Sequence, residues 1–389
     1  MIIDYNRLVE LVSYKNETNP VISLYLNVTP PRDFAAELNS MLHNARRHVE
    51  NRFDKIQFKK VDKLFEKIEH HLRESAGRPE RTRMVVVFAD ADGLWQQYLL
   101  PVSLPSQIVV EPDIYIRPLT VLLDEFDRYC VLIADSRKAR IFSLYLGDLE
   151  EKPDVFIEDN VPDRVRANRS RIRATGNIQG GLGDENIRRH IENHIHQHLK
   201  NAAEQTFRFF KQKKFNRIII GAPEDKILGQ LKDHLHSYLK KRLAGIFHAS
   251  PDDSDDHLAK KALEIAQDYE RRHEQEVIGE LFEKSGPQGM GVLGTDPVID
   301  ALQLGQVHTL IIDNEFKREG YKCLNDAMLS TYEDTCPLCG SRMEKTGDLA
   351  DEMVEAALFQ DAEIEHVFAE HEDFQNYRVG ALLRFTLTP

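Results

Sequence analysis

Tyr129-Cys-Val-Leu-Ile-Ala-Asp-Ser-Arg-Lys-Ala-Arg-Ile-Phe-Ser-Leu-Tyr145 is the stretch that decides the fold class. Tyr129 to Ala134 reads as a buried strand, Asp135-Ser-Arg-Lys138 supplies a turn, and Ala139 to Tyr145 returns as a second strand of a hairpin. Cys130, inside the first strand, reads as inert. Downstream, Arg217-Ile-Ile-Ile-Gly221 is another strand, a helical pattern covers 226–241, and a short strand covers 243–248. Strands alternating with helices imply an α/β fold.

Between hairpin and downstream strand lies RVRANRSRIRATGNIQGGLGDENIRRHIENHIHQH, residues 164–198. Arg164, Arg166, Arg169, Arg171 and Arg173 fall in ten residues without an acid, in a chain whose net charge is -13. Such a contrast points to a polyanion, RNA above all, gripped at one place, because phosphate binding draws its affinity from clustered cations. Gly176, Gly180, Gly181 and Gly183 then form a tip that permits close approach of a partner. Asp184 is placed to cap a helix, with Glu185 at the positive end of its dipole. Ile187, Ile191, Ile195 and Leu199 repeat every four residues and continue through Ala202, Ala203 and Phe210 as an inward stripe. His190, His194 and His198 form a neighbouring stripe, with Arg188 and Arg189 near the tip as further RNA-facing candidates.

The flanks are α/β as well. Pro20–Val28, Met84–Ala89 and Leu94–Leu100 read as strands, with helical patterns over 35–53 and 59–74. Trp95 reads as core or rim packing. Pro101, Pro105, Pro112 and Pro118 suggest a boundary at 118, and Asp252-Asp-Ser-Asp-Asp256 a solvated linker. Three domains follow, 1–118, 119–256 and 257–389, each a mixed sheet with helices. The last contains the helix 257–284, glycines over 286–294, a helix 296–304, the strand 307–313, a Cys-bearing insert, the helix 348–360 and a strand 379–387. The glycines of 286–294 are not followed by Gly-Lys-Ser/Thr and so do not make a phosphate loop. With 389 residues, 41% hydrophobic and 30% charged, the chain reads as a soluble, cytoplasmic protein. No apolar run approaches the roughly 20 residues of a membrane helix, and no membrane or DNA partner is expected. Four cysteines, two of them in Cys336-Pro-Leu-Cys339, indicate thiols or a metal site rather than a disulfide framework.

The order of these segments resembles the archaeo-eukaryotic peptide chain release factor and Pelota superfamily, in its divergent bacterial branch that includes Balon-type ribosome hibernation factors. Val21-Ile-Ser-Leu-Tyr-Leu and Met84-Val-Val-Val-Phe-Ala-Asp carry the likeness in the first segment. Val131-Leu-Ile-Ala-Asp-Ser-Arg-Lys-Ala-Arg-Ile-Phe and the glycine tip carry it in the second. In the third, Gly294-Thr-Asp-Pro-Val-Ile-Asp-Ala-Leu-Gln-Leu-Gly-Gln-Val-His-Thr-Leu-Ile-Ile and Val379-Gly-Ala-Leu-Leu-Arg-Phe resemble the kink-turn-binding ribosomal protein fold. The resemblance implies a tRNA-shaped protein in the ribosomal A site, its central tip aimed at the peptidyl transferase centre. The ribosome, ribosomal RNA and a translational GTPase are the implied partners.

Peptide-releasing relatives carry Gly-Gly-Gln, whose glutamine helps orient an attacking water. This tip reads Gln179-Gly180-Gly181-Leu-Gly-Asp184, so Gln179 precedes the glycines, and Asp184 stands where related bacterial tips carry a later glutamine. A charged carboxylate there repels a developing oxyanion. The expectation is therefore a factor occupying idle or stalled ribosomes, hibernating or protecting them under stress, rather than an enzyme. The alternatives are a peptidyl-tRNA hydrolase acting in rescue through Gln179 or Asp184, and a stress protein binding RNA off the ribosome. The first segment carries no Asn-Ile-Lys-Ser, which argues against stop-codon reading; Arg46, Arg47 and Arg52 are either decoding-region contacts or a solvated face. His190-Ile-Glu-Asn-His194 lacks the glutamate that a zinc protease needs directly after the first histidine. Some archaeal relatives hold zinc in an insert of the third domain. Here Cys323 and Asp326 stand opposite Cys336 and Cys339, giving Cys-x2-Asp, nine residues, then Cys-x2-Cys. A retained structural zinc with one aspartate ligand and an eroded site are the alternatives.

Overall fold

The computed structural model describes residues 5–14, 16, 18–28, 34–74, 82–152, 157–158, 180–286 and 289–386. Two compact units divide the chain: Phe126–Glu270, and Met1–Glu125 together with Arg271–Pro389. The terminal segments, read from sequence as separate domains, thus form one unit, and the expected boundaries at 118 and 256 fall within the first turns of helices.

The chain opens with α1 (Tyr5–Val12), β1 (Val21–Asn27), α2 (Phe34–Arg52), α3 (Lys55–Glu74), β2 (Met84–Ala89), β3 (Trp95–Leu100), β4 (Gln107–Glu111) and α4 (Arg117–Glu125). The strands form an antiparallel sheet in the order β3-β2-β1-β4. Ile22, Leu24 and Leu26 alternate onto the face covered by α2 and α3, where they meet Leu38, Leu42, Phe65 and Ile68. The intervening Tyr25 is sealed against Phe88, and its hydroxyl donates to Tyr115 O at 2.6 Å. Both faces of β1 are buried, which is why it reads as an unbroken apolar run. The proline-punctuated stretch conceals the edge strand β4, and Pro118 sits in the first turn of α4, where its missing N–H is no loss. Trp95 packs at the rim, under Lys67 at 4.6 Å and edge-on to His71.

The second unit contains β5 (Tyr129–Ala134), β6 (Lys138–Tyr145), β7 (Asp148–Glu151), β8 (Ile157–Glu158), α5 (Gly180–Lys213), β9 (Arg217–Ala222), α6 (Asp225–His234), α7 (Ser237–Lys240), β10 (Leu243–His248) and the start of α8 (Asp255–Lys284). The hairpin forms as read, with the Asp135 carboxylate accepting from the backbone N–H groups of Arg137 and Lys138, each at 2.7 Å. The mixed sheet runs β10-β9-β5-β6-β7, with β8 also on β6. Cys130, Leu132, Ile218 and Ile220 face α5 and α6, whereas Val131, Ile133 and Ile219 face Leu258, Ala262 and Ala266 of α8. Burial pushes the Cys130 thiol well above its ordinary range, consistent with an inert residue. The acidic run at 252–256 is largely exposed, as read, but it is not a linker. Asp255 and Asp256 open α8, favoured by the helix dipole, and Asp252 and Asp255 pair with Lys138 and Arg140 at 2.8 and 2.6 Å.

The rest of the first unit comprises β11 (Gly291–Leu293), α9 (Thr295–Gln303), β12 (Val307–Asp313), β13 (Gly320–Lys322), β14 (Leu329–Ser330), β15 (Glu344–Thr346), α10 (Leu349–Phe359), β16 (Glu363–Val367), α11 (Glu372–Gln375) and β17 (Val379–Leu383). Its main sheet is β11-β17-β12-β16, and a small sheet β14-β13-β15 carries the insert. Gly294, at φ 91°, precedes α9 and allows the chain to turn from β11 into it. Among the described residues no helix is long and apolar enough to cross a membrane.

Buried charge joins the two parts of this unit. Arg117 Nη1 lies 3.2 Å from Asp348 Oδ2, and its Nη2 donates to the carbonyls of Asp313 and Asn314 at 3.1 and 2.9 Å. Its backbone N–H donates to Asp351. Lys322 Nζ is held by Asp113 at 2.6 Å, Glu355 at 3.0 Å and Glu352. These three carboxylates could gather around a metal, but the ammonium supplies the cation. Desolvation, reinforced by neighbouring carboxylates, pushes Asp351 and Glu355 well above the usual range, and desolvation carries Glu352 up to about 7. A carboxyl raised in the folded state contributes stability that is complete below its unfolded value and lost as pH rises through the folded one. For Glu352 that window runs from its ordinary 4.5 up to about 7. Glu352→Gln, which carries no charge to desolvate, is therefore expected to unfold at higher urea concentration than the unsubstituted chain at alkaline pH, the gap closing as pH falls towards the ordinary glutamate range. Equal gaps at both ends of the titration would contradict this account.

Candidate functional site

The tip and its helix come first. Arg164, Arg166, Arg169, Arg171, Arg173 and Gln179 lie outside the described residues. Helix α5 begins at Gly180 and continues for 34 residues. Gly180, Gly181 and Asp184 are all within it, so Asp184 is not the cap expected from sequence. A glycine costs a helix only about 1 kcal/mol relative to alanine, too little to delay a helix of this length to the first polar residue. For 180–188, Arg188 included, the backbone alone is described.

Arg189 and His190 are exposed, and His194 is half-buried. The Nε2 atoms of His190 and His194 are 3.2 Å apart, with their rings edge to face at 4.6 Å. His198 is fully buried. Each step of four residues advances about 40° around a helix of 3.6 residues per turn, so the third histidine has rotated onto the side of Leu199 and Ala202. The three therefore do not form a common metal site. Arg46 and Arg52 are engaged within the chain, pairing with Asp62 at 2.8 Å and with both oxygens of Glu111 at 2.7 Å, while Arg47 is exposed.

The second candidate is the insert. Lys322 closes β13, and Cys323 begins a tight turn in which Ala327 N–H donates to Cys323 O at 2.9 Å, with Ala327 at φ 54°. Cys336 begins another, in which Gly340 N–H donates to Cys336 O at 2.9 Å, with Gly340 at φ 69°. The two turns match position for position, and Asp326 occupies in the first the place of Cys339 in the second. The ligand atoms of Cys323, Asp326, Cys336 and Cys339 all lie within 4.8 Å of one another. Cys323 Sγ is 3.6 Å from Cys339 Sγ, and Cys336 Sγ is 3.3 Å from Asp326 Oδ2. Zinc–sulfur bonds of about 2.3 Å at tetrahedral angles require edges of about 3.8 Å, so the donor set fits a tetrahedral zinc. Cys323 and Cys336 are buried, whereas Asp326 and Cys339 are exposed. Sequence reading named all four; it missed the buried set of Asp113, Lys322, Glu352 and Glu355, whose members lie far apart in the chain.

Comparison with known proteins adds the lineage. Residues 115–267 match the family described as bacterial archaeo-eukaryotic release factor family 10. Peptide chain release factor subunit 1 of Archaeoglobus fulgidus is 23% identical over 89% of this chain and 81% of its own length. That of Methanococcoides burtonii is 24% identical over 97% and 96%. Among solved structures, Archaeoglobus fulgidus Pelota aligns over 79% of this chain and 80% of its own, at 13% identity and a TM-score of 0.32. The family match spans the hairpin, the tip and the long helix, and the archaeal release factors align over most of this chain and of their own lengths, so the chain is similar to the archaeo-eukaryotic release factors from end to end.

Proposed function

We propose that this protein is a translation factor that occupies the A site of idle or stalled ribosomes and protects them, with its central tip directed to the peptidyl transferase centre. The observation that carries the reading is the tip sequence: five clustered arginines lead to a glycine pair that opens α5, and an aspartate, Asp184, stands where a neutral amide is needed for release. Cations and small residues suit backbone-level contact with ribosomal RNA. The superfamily supports a ribosomal site of action, in the cytoplasm and with a translational GTPase as a further partner. Replacing Arg166, Arg169, Arg171 and Arg173 with glutamine is expected to weaken ribosome co-sedimentation and flatten its salt dependence, since fewer counterions are released. Unchanged affinity and slope would sink the assignment.

The insert is proposed to hold one structural zinc through Cys323, Asp326, Cys336 and Cys339. All four positions are taken by protein, so the ion would serve folding and not chemistry. Elemental analysis of protein purified without added metal is expected to give one zinc per chain, reduced by Asp326→Ala and abolished by Cys336→Ser. Absence of zinc from the unsubstituted protein would favour the eroded site.

Release activity separates protection from rescue. A release tip lowers the barrier by positioning water and stabilising the tetrahedral intermediate. On ribosomes carrying peptidyl-tRNA, a saturating amount of this protein is expected to release peptide at close to the spontaneous rate, and Asp184→Gln to raise that rate. Rapid release by the unsubstituted chain, lost in Gly181→Ala with ribosome binding intact, would make it a peptidyl-tRNA hydrolase instead.

A further inference from the structure

Helix α5 presents a second, unassigned surface well beyond the tip. His196, Lys200, Phe207 and Lys211 fall within about 60° of one another around its axis at 3.6 residues per turn, alongside the buried stripe of Leu199, Ala203 and Phe210; Phe207 is half-buried against that core, while His196, Lys200 and Lys211 are exposed. The end of α6 and the short α7 complete the surface. His196 meets His234 edge to face at 4.3 Å, and His236 stacks flat on Phe207 at 4.1 Å and 10°. Lys211 Nζ lies 5.0 Å from the Phe207 ring and 5.5 Å from Tyr238, while the Arg242 guanidinium covers the Tyr238 ring at 3.8 Å. His236 is itself pinned, its Nδ1 accepting from Tyr238 N–H at 3.1 Å, and it remains exposed.

The charge on this face is unneutralised. Lys200, Lys211, Lys240 and Arg242 have no ion-pair partner among the described residues; Glu204 and Asp233 supply the nearby carboxylates, and Asp233 meets Lys240 through its backbone carbonyl, which accepts from Nζ at 2.9 Å. Burial, joined by His196, Lys200 and Lys240, holds His234 below its ordinary range despite Asp233. In a chain of net charge -13 such a cluster is exceptional. An acidic protein surface would answer the cations, but the exposed rings of His196 and His236 add flat faces that carboxylates do not fill. Unpaired nucleobases use both, since phosphates meet the lysines and bases stack on aromatic faces.

We propose that this face, built from His196, Lys200, Phe207 and Lys211 of α5 with His236 and Lys240, binds single-stranded or looped RNA. The inference rests on the reading of the chain as an RNA-contacting factor and assigns it a contact independent of the arginine arm.

The test is fluorescence anisotropy with a labelled unstructured RNA of about 12 nucleotides, within the span of such grooves. It is run with the arm intact and with the four-arginine substitution. The triple variant Lys200→Glu, Lys211→Glu, Lys240→Glu changes only exposed side chains. It is expected to lower affinity at least about tenfold in both backgrounds and to reduce the salt slope by about 2, at roughly 0.7 per lost phosphate contact. His236→Ala is expected to cost about fivefold with the slope unchanged, as loss of one stacked base would. Wild-type RNA affinity in the triple variant would overturn the proposal, and so would competition by polyglutamate as effective as by polyuridine, which would indicate an acidic protein partner. Because the probe is free RNA, failure of ribosome co-sedimentation would count against the functional reading and leave this result standing.

Discussion

Two cations taken out of water set the terms for the larger unit. Arg117 and Lys322 are each less than a tenth exposed, and an uncompensated buried charge costs several kcal/mol. Each must therefore bring carboxylates or carbonyls with it. Arg117 opens α4 and Lys322 ends β13, yet their partners come from opposite ends of the chain: Asp113 from the first part, and Asp348, Glu352 and Glu355 from the last. Asp348 also caps α10, accepting from Ala350 N–H at 3.2 Å, so one carboxylate orients the helix and grips the arginine. Asp113, Asp348, Asp351, Glu352 and Glu355 outnumber the two cations, and burial, to which neighbouring carboxylates add, holds Asp351, Glu352 and Glu355 to protons that exposed carboxyls would lose. Cys323 directly follows Lys322, so the same anchor fixes the start of the first turn of the insert.

Periodicity made the sheets readable and long-range pairing did not. Tyr129–Ala134 and Val21–Asn27 are sealed on both faces, and a doubly buried strand announces itself as an apolar run. Strand β16, Glu363-Ile-Glu-His-Val367, escaped because its position beside β12 owes nothing to an apolar pattern. Strand β4 escaped because prolines flank it. The four insert ligands were legible because two matching turns impose a matching spacing, Cys-x2-Asp and Cys-x2-Cys. Asp113 with Glu352 and Glu355 was invisible for the converse reason, since no local repeat links residues more than two hundred positions apart. At the tip the error was one of weighting: Asp184 is a good cap by residue type, but helix propagation outweighed it and carried the first turn back to Gly180.

Helix α5 shows how unlike demands are kept apart. At about 1.5 Å per residue its 34 residues extend roughly 50 Å, from the glycine pair to the core of the sheet. Leu199, Ala202, Ala203 and Phe210 are fixed by packing against Cys130, Leu132 and Ile220. His196, Lys200 and Lys211, on the neighbouring face, stand exposed. Substitution on the outer face thus leaves the inner one unstrained, and the two can drift at different rates over evolutionary time. Descendants of one ancestral helix can exchange the surface they show to a partner while inheriting the same scaffold, so divergence in what this lineage binds need leave no trace in how it folds.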